Sequence, residues 1–411
     1  MRYGLLGEHL PHSFSKEIHE KLGKYVYELI EVPPEQLDAF MRAKDFAGIN
    51  VTIPYKQAVI PYLDALSDRA KAIGAVNTVV NRDGRLCGDN TDFGGLEALI
   101  RRMELDLRGK TVLIAGTGGT SKTARAAAEH LGAAEIYRLS RSGRDGALTY
   151  EEAYREHADA EILINTTPAG MYPDLGGVSV DLDRLPGLEG VADAIYNPLT
   201  TRLVREARAR GIKAENGLYM LVAQAVLAAE TFTGEALPAG TVDRVYADIL
   251  SEKRNIVLTG MPGSGKTTLG RLLSETLDRA LVDTDAEIVK AAGKPITALF
   301  QAHGEAYFRD LETAVIRELS KTGDGKIIAT GGGAVMRREH VDALTQNGLV
   351  VVLDRPVEDL PPTDDRPRAD DAEKIKRLHD ERYPFYLAAA DRHVSVRGTP
   401  AETLKKLLRV L

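Results

Sequence analysis

The sequence predicts an α/β protein built from largely parallel sheets and folded into more than one globular unit. Short apolar, β-branched runs alternate with longer amphipathic stretches from end to end, which is the pattern of repeated βαβ units. The chain has 411 residues, so a domain size of roughly 150 residues predicts two or three units. A hydrophobic content of 44% with 27% charged residues is typical of globular chains and argues against a disordered one.

Charge and cysteine content narrow the class of partner. The formal net charge is −7, so no global basic field attracts nucleic acid or anionic lipid, and small molecules are the expected partners. The single cysteine, Cys87, cannot form an internal disulfide, which is typical of a reducing compartment. The N-terminal residues lack a signal-peptide pattern, and no apolar run reaches about 18 residues. We therefore expect a cytoplasmic protein with no membrane contact, and the oligomeric state stays open.

Three sets of strands are predicted in chain order. The first covers residues 3–7, 25–32, 48–53 and 76–81, the second 111–115, 135–139, 161–165 and 191–195, and the third 255–259, 280–282, 326–329, 349–353 and 393–396. Amphipathic segments such as residues 121–131 and 267–277 predict the helices between them. Residues 233–240 interrupt a helix, and a last helix at 241–250 leads into a new strand. The main domain boundary is therefore expected near residue 252.

A glycine-rich turn follows the strand at residues 111–115. Residues 116–121 read Gly-Thr-Gly-Gly-Thr-Ser and open a helix, which approximates the dinucleotide-binding pattern GxGxx[GA] with Ser121 at the third small position. Taken alone, an ordinary tight turn explains the segment equally well. After the next strand come Ser140 and Arg141, where an NAD-binding protein usually carries an acid. Arginine at this position favours the 2′-phosphate of NADP, with a plain basic loop as the alternative.

The motifs around this turn resemble those of shikimate dehydrogenase in kind and order. They are His-Ser-Phe-Ser at residues 12–15, Gly-Ile-Asn-Val-Thr-Ile-Pro-Tyr-Lys at 48–56, Gly-Ala-Val-Asn-Thr at 74–78, Gly-Asp-Asn-Thr-Asp at 88–92 and Gly-Leu-Tyr-Met-Leu-Val-Ala-Gln at 217–224. The resemblance implies a substrate-binding lobe at residues 1–100, completed by residues 218–250. It also implies a Rossmann-type NADP-binding lobe at residues 101–217.

The same resemblance implies the residues of a dehydrogenase site. Lys56 and Asp92 would form the acid/base pair, because an ammonium held by a carboxylate can protonate the alkoxide that hydride delivery leaves. The implied substrate-binding residues are Ser13, Ser15, Thr52, Asn77, Asp92, Tyr196 and Gln224. The implied cofactor-binding residues are Asp68, Gly116, Gly118, Gly119, Ser140, Arg141 and Gly217. The implied reaction is reduction of 3-dehydroshikimate to shikimate with NADPH, and a quinate-accepting dehydrogenase is the alternative.

Residues 260–267 carry the strongest chemical signal of the second half. They read Gly-Met-Pro-Gly-Ser-Gly-Lys-Thr, which fits the phosphate-loop pattern GxxxxGK[ST] directly after the strand at residues 255–259. Glycines let successive N–H groups point at phosphate oxygens, and the following helix presents its positive N-terminal end. Lys266 can bridge the terminal phosphates, and the Thr267 hydroxyl suits Mg²⁺. The pattern predicts a nucleoside triphosphate site.

Two acidic residues, Asp283 and Asp285, follow the strand predicted at residues 280–282. At the end of that strand we expect the two side chains to point to opposite sides. One carboxylate could then serve a metal ion while the other reaches a substrate hydroxyl. Two helix-capping acids before Ala286 are the alternative.

The second half resembles shikimate kinase over nearly all of residues 255–411. Besides the phosphate loop, the motifs are Asp-Thr-Asp at residues 283–285, Gly-Glu-Ala-Tyr-Phe-Arg-Asp-Leu-Glu at 304–312, Gly-Gly-Gly at 331–333 and Arg-Tyr-Pro-Phe-Tyr at 382–386. The resemblance implies a P-loop kinase domain with a parallel sheet at residues 254–411. It would phosphorylate the 3-hydroxyl of shikimate with ATP and Mg²⁺. The product of the first half is the substrate of the second, so the sequence predicts a bifunctional enzyme of the shikimate pathway.

By this resemblance Lys266 and Asp285 are catalytic, and Asp285 is the base that orients the acceptor hydroxyl. The implied substrate-binding residues are Asp285, Arg309, Gly332, Gly333 and Arg382, and paired guanidinium groups suit a carboxylate. The implied nucleotide-binding residues are Gly263, Ser264, Gly265, Lys266, Thr267, Thr268 and Arg366, and the implied metal ligands are Thr267 and Asp283.

Arg366 falls where the family carries its mobile lid. The segment before it is proline-rich at residues 360–362, and the further arginine that usually precedes the Arg-Pro pair is not evident. A nucleotide-binding regulatory module without phosphoryl transfer is therefore the alternative to an active kinase.

Overall fold

The computed structural model describes residues 2–10, 13–144, 146–361 and 371–411. The chain separates into two compact units. The first consists of Met1–Asn197 with Thr201–Leu250, and the second of Pro198–Thr200 with Ser251–Leu411.

A mixed sheet forms the first lobe of the first unit. Its strands are β1 (Tyr3–Gly7), β2 (Tyr27–Glu31), β3 (Gly48–Val51), β4 (Ala65–Leu66), β5 (Thr78–Arg82) and β6 (Arg85–Asp89), in the spatial order β2-β1-β3-β5-β6-β4. Strand β1 is parallel to β2 and β3, but β5 is antiparallel to β3 and β6. Here the expected parallel arrangement is only partly right. Asp83 and Gly84 take positive φ values of 55° and 85°, and this tight turn folds β5 and β6 into a hairpin.

A parallel sheet forms the second lobe of the same unit. Its strands are β7 (Thr111–Ala115), β8 (Glu135–Ser140), β9 (Leu148–Thr149), β10 (Ile162–Asn165), β11 (Gly190–Asp193) and β12 (Lys213–Glu215), in the order β12-β11-β10-β7-β8-β9. Its pairings are all parallel, as expected for strands joined by crossover helices. The helices of both lobes are α1 (Ser15–Leu22), α2 (Leu37–Ala43), α3 (Asp68–Ile73), α4 (Asp92–Arg102), α5 (Gly119–His130), α6 (Tyr150–Glu156), α7 (Arg202–Ala209), α8 (Leu218–Thr233) and α9 (Thr241–Lys253).

The second unit is built on another parallel sheet. Its strands are β13 (Asn255–Thr259), β14 (Leu281–Asp283), β15 (Ile327–Ala329), β16 (Gly348–Asp354) and β17 (Arg392–Ser395), in the order β14-β15-β13-β16-β17. Its helices are α10 (Lys266–Leu277), α11 (Thr284–Ala292), α12 (Ile296–Ser320), α13 (Arg338–Asn347), α14 (Ala372–Ala389) and α15 (Pro400–Val410). The central strands β13 and β16 are almost wholly buried. Such strands read as continuous apolar runs because helices cover both faces of the sheet.

The predicted α/β class is confirmed, and each predicted strand overlaps an observed one. The short strands β4, β9 and β12 and the hairpin strand β6 were not predicted. They are short or alternate between buried and exposed residues, so no apolar run marks them. Across the described ranges, no helix has the length and apolar character needed to span a membrane.

Candidate active sites

A cavity of about 620 Å³ lies in the first unit. Much of its wall comes from residues that directly follow the carboxyl ends of β1, β3, β10 and β11, which is where open α/β sheets bind ligands. The residues expected from the sequence to bind substrate or transfer protons in the dehydrogenase all line it, namely Ser13, Ser15, Thr52, Lys56, Asn77, Asp92, Tyr196 and Gln224. The fold thus brings together side chains that are up to about 210 positions apart in the chain.

Lys56 and Asp92 form an ion pair within this cavity. Lys56 Nζ lies 2.5 Å from Asp92 Oδ2, and the two side chains are 15% and 11% exposed. Asp92 is the first residue of α4, where the helix dipole favours a negative charge. A Cβ at Gly119 would lie 3.8 Å from the Lys56 side chain, so the glycine turn comes close to the pair. This geometry suits a proton donor that lies next to the glycine turn.

A buried amide network presents Asn77 to the cavity. Asn77 Oδ1 accepts a hydrogen bond from the Thr91 N–H at 2.7 Å, and its Nδ2 lies 3.4 Å from Gln224 Oε1. Across the cavity, burial raises the pKa of Tyr196, and a hydrogen bond with Ser13 partly offsets that increase. These neutral polar groups suit a ligand with several hydroxyl groups.

The glycine turn after β7 fits a dinucleotide phosphate. Gly116 has φ of 112°, and a Cβ there would lie 2.6 Å from Thr166 Oγ1, so only glycine is accommodated. Gly118 is the N-cap of α5, whose N-terminal end favours an anion. The hydroxyls of Ser121 and Ser140 are buried and lack a hydrogen-bond partner among the described residues.

Three further residues were predicted to bind the cofactor, namely Gly217, Arg141 and Asp68. A Cβ at Gly217, which lines the cavity, would overlap the carbonyl oxygen of Ala194, and Arg141 is exposed beside Ser140 at the end of β8. The side chain of Asp68 is fully exposed and lies 3.8 Å from Lys71. Of the predicted cofactor residues, Gly217 lines the cavity, and Asp68, Gly116, Gly118, Gly119, Ser140 and Arg141 do not.

Sequence reasoning missed part of the cavity wall. Thr166, Thr167 and Pro168 follow β10, and Ile195 and Asn197 lie in the segment that follows β11. Apolar side chains complete the wall, among them Leu10, Met171, Met220 and Leu221. For the residues after β10 and β11, the available signal was their position just past the ends of neighbouring parallel strands.

The phosphate loop of the second unit connects β13 to α10. Gly263 and Gly265 have positive φ values of 77° and 95°, which glycine adopts without strain. Lys266 Nζ donates to the carbonyl oxygens of Gly260 and Met261 at 2.8 and 2.9 Å. The Ser264 hydroxyl is fully buried with no hydrogen-bond partner in the described part of the chain. The loop fits a polyphosphate chain. Thr268, just after the loop, lines a neighbouring cavity.

That second cavity has a volume of about 550 Å³. Gly265 and Thr268 form one side, and Arg355, Arg397 and Pro400 lie among the other lining residues. Neither arginine was predicted, since no motif marks them. Arg366 lies outside the described residues.

The expectation that Asp283 and Asp285 point to opposite sides of a strand is wrong, because residues two positions apart in a strand share a face and the strand does not continue. Asp283 instead caps a helix, which was the alternative. Strand β14 ends at Asp283, which is the N-cap of α11, and its Oδ1 accepts hydrogen bonds from the N–H groups of Asp285 and Ala286. A capping carboxylate satisfies helix-end N–H groups, so the chain turns into a helix here. Asp283 Oδ2 lies 3.3 Å from Thr267 Oγ1. These two oxygens are the donor type that Mg²⁺ takes, so Asp283 Oδ2 can hold a metal ion while Oδ1 caps the helix.

The glycines at residues 331–333 allow charged side chains to converge. A Cβ at Gly331 would lie 2.6 Å from Asp285 Oδ1, and one at Gly333 would lie 2.5 Å from Arg309 Nη2. A Cβ at Gly332 would lie 3.0 Å from Pro262 of the phosphate loop. The structure thus brings Asp285, Arg309 and the phosphate loop to one place.

Glu312 and Tyr386 are two further members of this group that were quoted in motifs but not selected as site residues. Glu312 Oε2 accepts from Arg309 Nη1 at 2.5 Å. Burial raises the pKa of Glu312, and the charges of Arg309 and Arg382 partly offset that increase. Tyr386 donates to the Gly332 carbonyl oxygen, one helical turn after the buried Arg382. Arginine side chains in a buried setting, with glycine amides nearby, suit a small carboxylate-bearing substrate.

Comparison with known proteins identifies both halves. Residues 5–79 match the family of the shikimate dehydrogenase substrate binding domain, and residues 262–411 match the shikimate kinase family. A shikimate dehydrogenase (NADP(+)) of Geobacillus kaustophilus is 42% identical over 256 residues, which cover 57% of this chain and 92% of the relative.

Solved structures agree with this assignment. A shikimate 5-dehydrogenase from Thermus thermophilus, in complex with NADP(H) and shikimate, is 31% identical with a TM-score of 0.54 and covers 60% of this chain and 99% of its own. A quinate dehydrogenase from Corynebacterium glutamicum in complex with NAD is 29% identical with a TM-score of 0.54 and covers 61% of this chain and 99% of its own. The chain belongs to the shikimate dehydrogenase family, and it is a shikimate-pathway fusion that carries a shikimate kinase domain at its C-terminal end.

Proposed function

We propose that the first unit reduces 3-dehydroshikimate to shikimate with NADPH and that the second phosphorylates shikimate at its 3-hydroxyl with ATP. The observation that carries the first reaction is the Lys56–Asp92 ion pair inside a cavity lined with neutral hydrogen-bonding side chains. Functionally, residues 1–100 with 218–250 form the substrate lobe, residues 101–217 the NADP lobe and residues 254–411 the kinase.

In the dehydrogenase, this chain's residues bind the substrate and supply a proton. Bound NADPH would supply the hydride that adds to the carbonyl carbon. The Lys56 ammonium then donates a proton to the resulting alkoxide oxygen, while Asp92 holds the lysine in place. Ser13 and Ser15 bind the carboxylate of the substrate. The side chains that hold its ring hydroxyls are Thr52, Asn77, Tyr196 and Gln224.

NADP(H) rather than NAD(H) is the proposed cofactor. Gly116, Gly118 and Gly119 leave room for the pyrophosphate at the N-terminus of α5. Arg141 follows Ser140 at the end of β8, where a guanidinium can pair with the 2′-phosphate.

In the kinase, the residues of the phosphate loop and the triple glycine hold two substrates side by side. ATP with Mg²⁺ would supply the phosphoryl group. The loop amides from Gly263 to Thr268 with Lys266 bind the phosphates, and Thr267 with Asp283 holds the metal ion. Asp285 takes the proton of the 3-hydroxyl, and Arg309 and Arg382 pair with the carboxylate, next to the amides of Gly332 and Gly333. Arg366 is proposed to stabilise the transferred group.

The test is a coupled assay on the intact chain with 3-dehydroshikimate, NADPH, ATP and Mg²⁺. We expect one NADPH oxidised and one ADP released for each shikimate 3-phosphate formed, and no ADP release when NADPH is left out. ATP binding without shikimate-dependent ADP release would contradict the kinase and favour a nucleotide-binding regulatory module.

Quinate is the second candidate substrate of the first unit, because the likeness to a quinate dehydrogenase in complex with NAD is comparable. Quinate carries one hydroxyl more than shikimate at the ring carbon that bears the carboxylate, so the two acids differ next to Ser13 and Ser15. Oxidation rates measured with shikimate and quinate, each with NADP⁺ and NAD⁺, decide the point. Faster turnover with quinate and NAD⁺ would overturn the assignment.

A further inference from the structure

Asp193 is a fully buried acid beneath the dehydrogenase cavity that the proposed mechanism does not use. It is the last residue of β11 and lies in register beside Asn165, the last residue of β10. Its Oδ1 accepts hydrogen bonds from Asn165 Nδ2 at 2.9 Å and from the Ile195 N–H at 3.1 Å. Its Oδ2 accepts from Thr201 Oγ1 at 2.6 Å. Three donors therefore converge on one carboxylate.

Asn165 extends this contact to a second loop. Its Oδ1 accepts from the Thr167 N–H at 3.1 Å, the Thr167 hydroxyl at 2.8 Å and the Ser179 hydroxyl at 3.1 Å. The Asp193–Asn165 pair thus holds the segments that follow both β10 and β11. Those segments, residues 166–168 and 194–197, form part of the cavity wall.

The electrostatic setting of Asp193 is unusual because its direct partners are all neutral. Burial raises its pKa to about 6, and the hydrogen bonds from Thr201, Ile195 and Asn165 partly offset that increase. The charged side chains on the elements packed beside it, α7 and β12, are Arg202, Arg205, Glu206, Arg208, Lys213 and Glu215. Four of these side chains form ion pairs with each other, Arg202 with Glu206 and Arg208 with Glu215. Asp193 therefore changes charge in a range where catalysis can be measured.

We propose that Asp193 is a positioning residue of the dehydrogenase, whose ionised carboxylate holds residues 166–168 and 194–197 in the geometry that binds substrate and cofactor. Protonation turns charge-assisted hydrogen bonds into neutral ones, which are about half as strong. The added proton also faces donors, so only Thr201 can turn its hydroxyl to accept it. The loops are then held less firmly. The proposal rests on the dehydrogenase function proposed above.

The test measures KM and kcat for 3-dehydroshikimate and NADPH between pH 5.5 and 8 with the intact chain. In the wild type, we expect both KM values to rise roughly fivefold as the pH falls through 6. That ratio corresponds to the free energy of about one hydrogen bond. In Asp193→Asn, KM is already raised by about that factor at pH 8 and stays flat. Asp159→Asn, an exposed change in the same lobe, keeps the wild-type profile. A wild-type KM that does not change with pH, or an Asp193→Asn profile that matches the wild type, overturns the proposal.

A second pair of variants covers the case in which Asp193→Asn does not fold. Thr201→Val keeps the carboxylate but removes one bond that lowers its pKa, so the rise in KM shifts to higher pH. Thr201→Ser restores the hydroxyl and returns the midpoint. An unshifted midpoint in Thr201→Val contradicts the proposal. Absence of any dehydrogenase activity in the wild type would instead contradict the proposed function, so the two failures are distinguishable.

Discussion

Lys56 Nζ and Asp92 Oδ2 lie 2.5 Å apart although the two residues are 36 positions apart in the chain. Lys56 follows β3 and Asp92 begins α4, so the pair forms only when the first lobe is folded. An ion pair that is largely withdrawn from water has to be held in good geometry to compensate for desolvation. Its position in the cavity wall makes it the group to test first.

Replacing Lys56 by Met removes the proton donor but keeps most of the apolar stem. We expect kcat for reduction of 3-dehydroshikimate to fall by about 10² to 10⁴, because the alkoxide then has to take its proton from water. Asp92→Asn keeps the shape and lowers kcat less. Lys24→Met, at a surface ion pair with Glu235, is the matched control and leaves kcat unchanged. Steady-state NADPH oxidation measures all three, and an unchanged kcat in Lys56→Met would exclude its role.

The sequence predicted the reacting and hydrogen-bonding residues of this site better than the other residues that line the cavity. Lys56, Asp92 and Asn77 stand in local motifs, so the resemblance of those motifs to a known family identified them. Thr166 and Asn197 stand in no such motif and reach the cavity only because β10 and β11 are neighbours in a parallel sheet. Strand order is a long-range property that local patterns do not encode.

Lys266→Ala tests whether the two sites work independently. The lysine donates to two carbonyl oxygens of the phosphate loop, and in the proposed complex it turns to the terminal phosphates. We expect phosphoryl transfer to fall by at least about 10², while reduction of 3-dehydroshikimate keeps its wild-type rate. Lys290→Ala, exposed on α11, is the control. Loss of both activities in Lys266→Ala would contradict independent sites, provided that the variant keeps the wild-type circular dichroism spectrum.

At residues 283–285 the structure has a helix start where the sequence predicted strand geometry. The spacing Asp-Thr-Asp suggested a strand, but the Asp283 carboxylate caps α11 and starts the helix at Thr284. The spacing left a continued strand and a capped helix open, and the hydrogen bonds from the Asp285 and Ala286 N–H groups to the Asp283 carboxylate decide for the helix. The two carboxylates nevertheless face different neighbours, Thr267 and Gly331.

Arg141→Ala tests the choice between NADP and NAD. Arg141 is exposed at the end of β8, so its removal leaves the fold intact, and the 2′-phosphate loses one charge-assisted contact. We expect KM for NADPH to rise about tenfold, while KM for NADH changes by less than about twofold. Arg125→Ala, which removes an exposed arginine paired with Glu129 on α5, is the control. Equal changes in KM for NADPH and NADH would show that Arg141 does not bind the 2′-phosphate.

The pH dependence of stability has a separate origin in His19. Its ring is buried, stacks on Tyr27 at 3.9 Å and bonds through Nδ1 to the Tyr25 hydroxyl at 2.8 Å. Burial lowers the pKa of His19 to about 3, against 6.5 in the unfolded chain. Between these values the unfolded state binds the extra proton, so the free energy of unfolding falls as the pH falls, by about 1.4 kcal/mol per pH unit.

Asp193 acts in the opposite direction in the same unit, since its pKa of about 6 is higher in the folded state than in the unfolded one. The folded state then binds the extra proton, and this term stabilises the fold as the pH falls from about 6 to 4. His19 and Asp193 therefore contribute to the wild-type stability curve with opposite signs.

A comparison of the wild type with His19→Asn isolates the histidine, because Asp193 is present in both chains. Asparagine can keep the hydrogen bond to Tyr25 but does not titrate. We expect the variant to be less stable at pH 8, since it loses the stacked ring, and to recover about 2 kcal/mol relative to the wild type at pH 5. The chain has no tryptophan, so urea unfolding is followed by circular dichroism, and the transition that NADP⁺ shifts is assigned to the first unit. A stability difference that stays constant from pH 8 to 5 would mean that His19 is not held neutral in the fold.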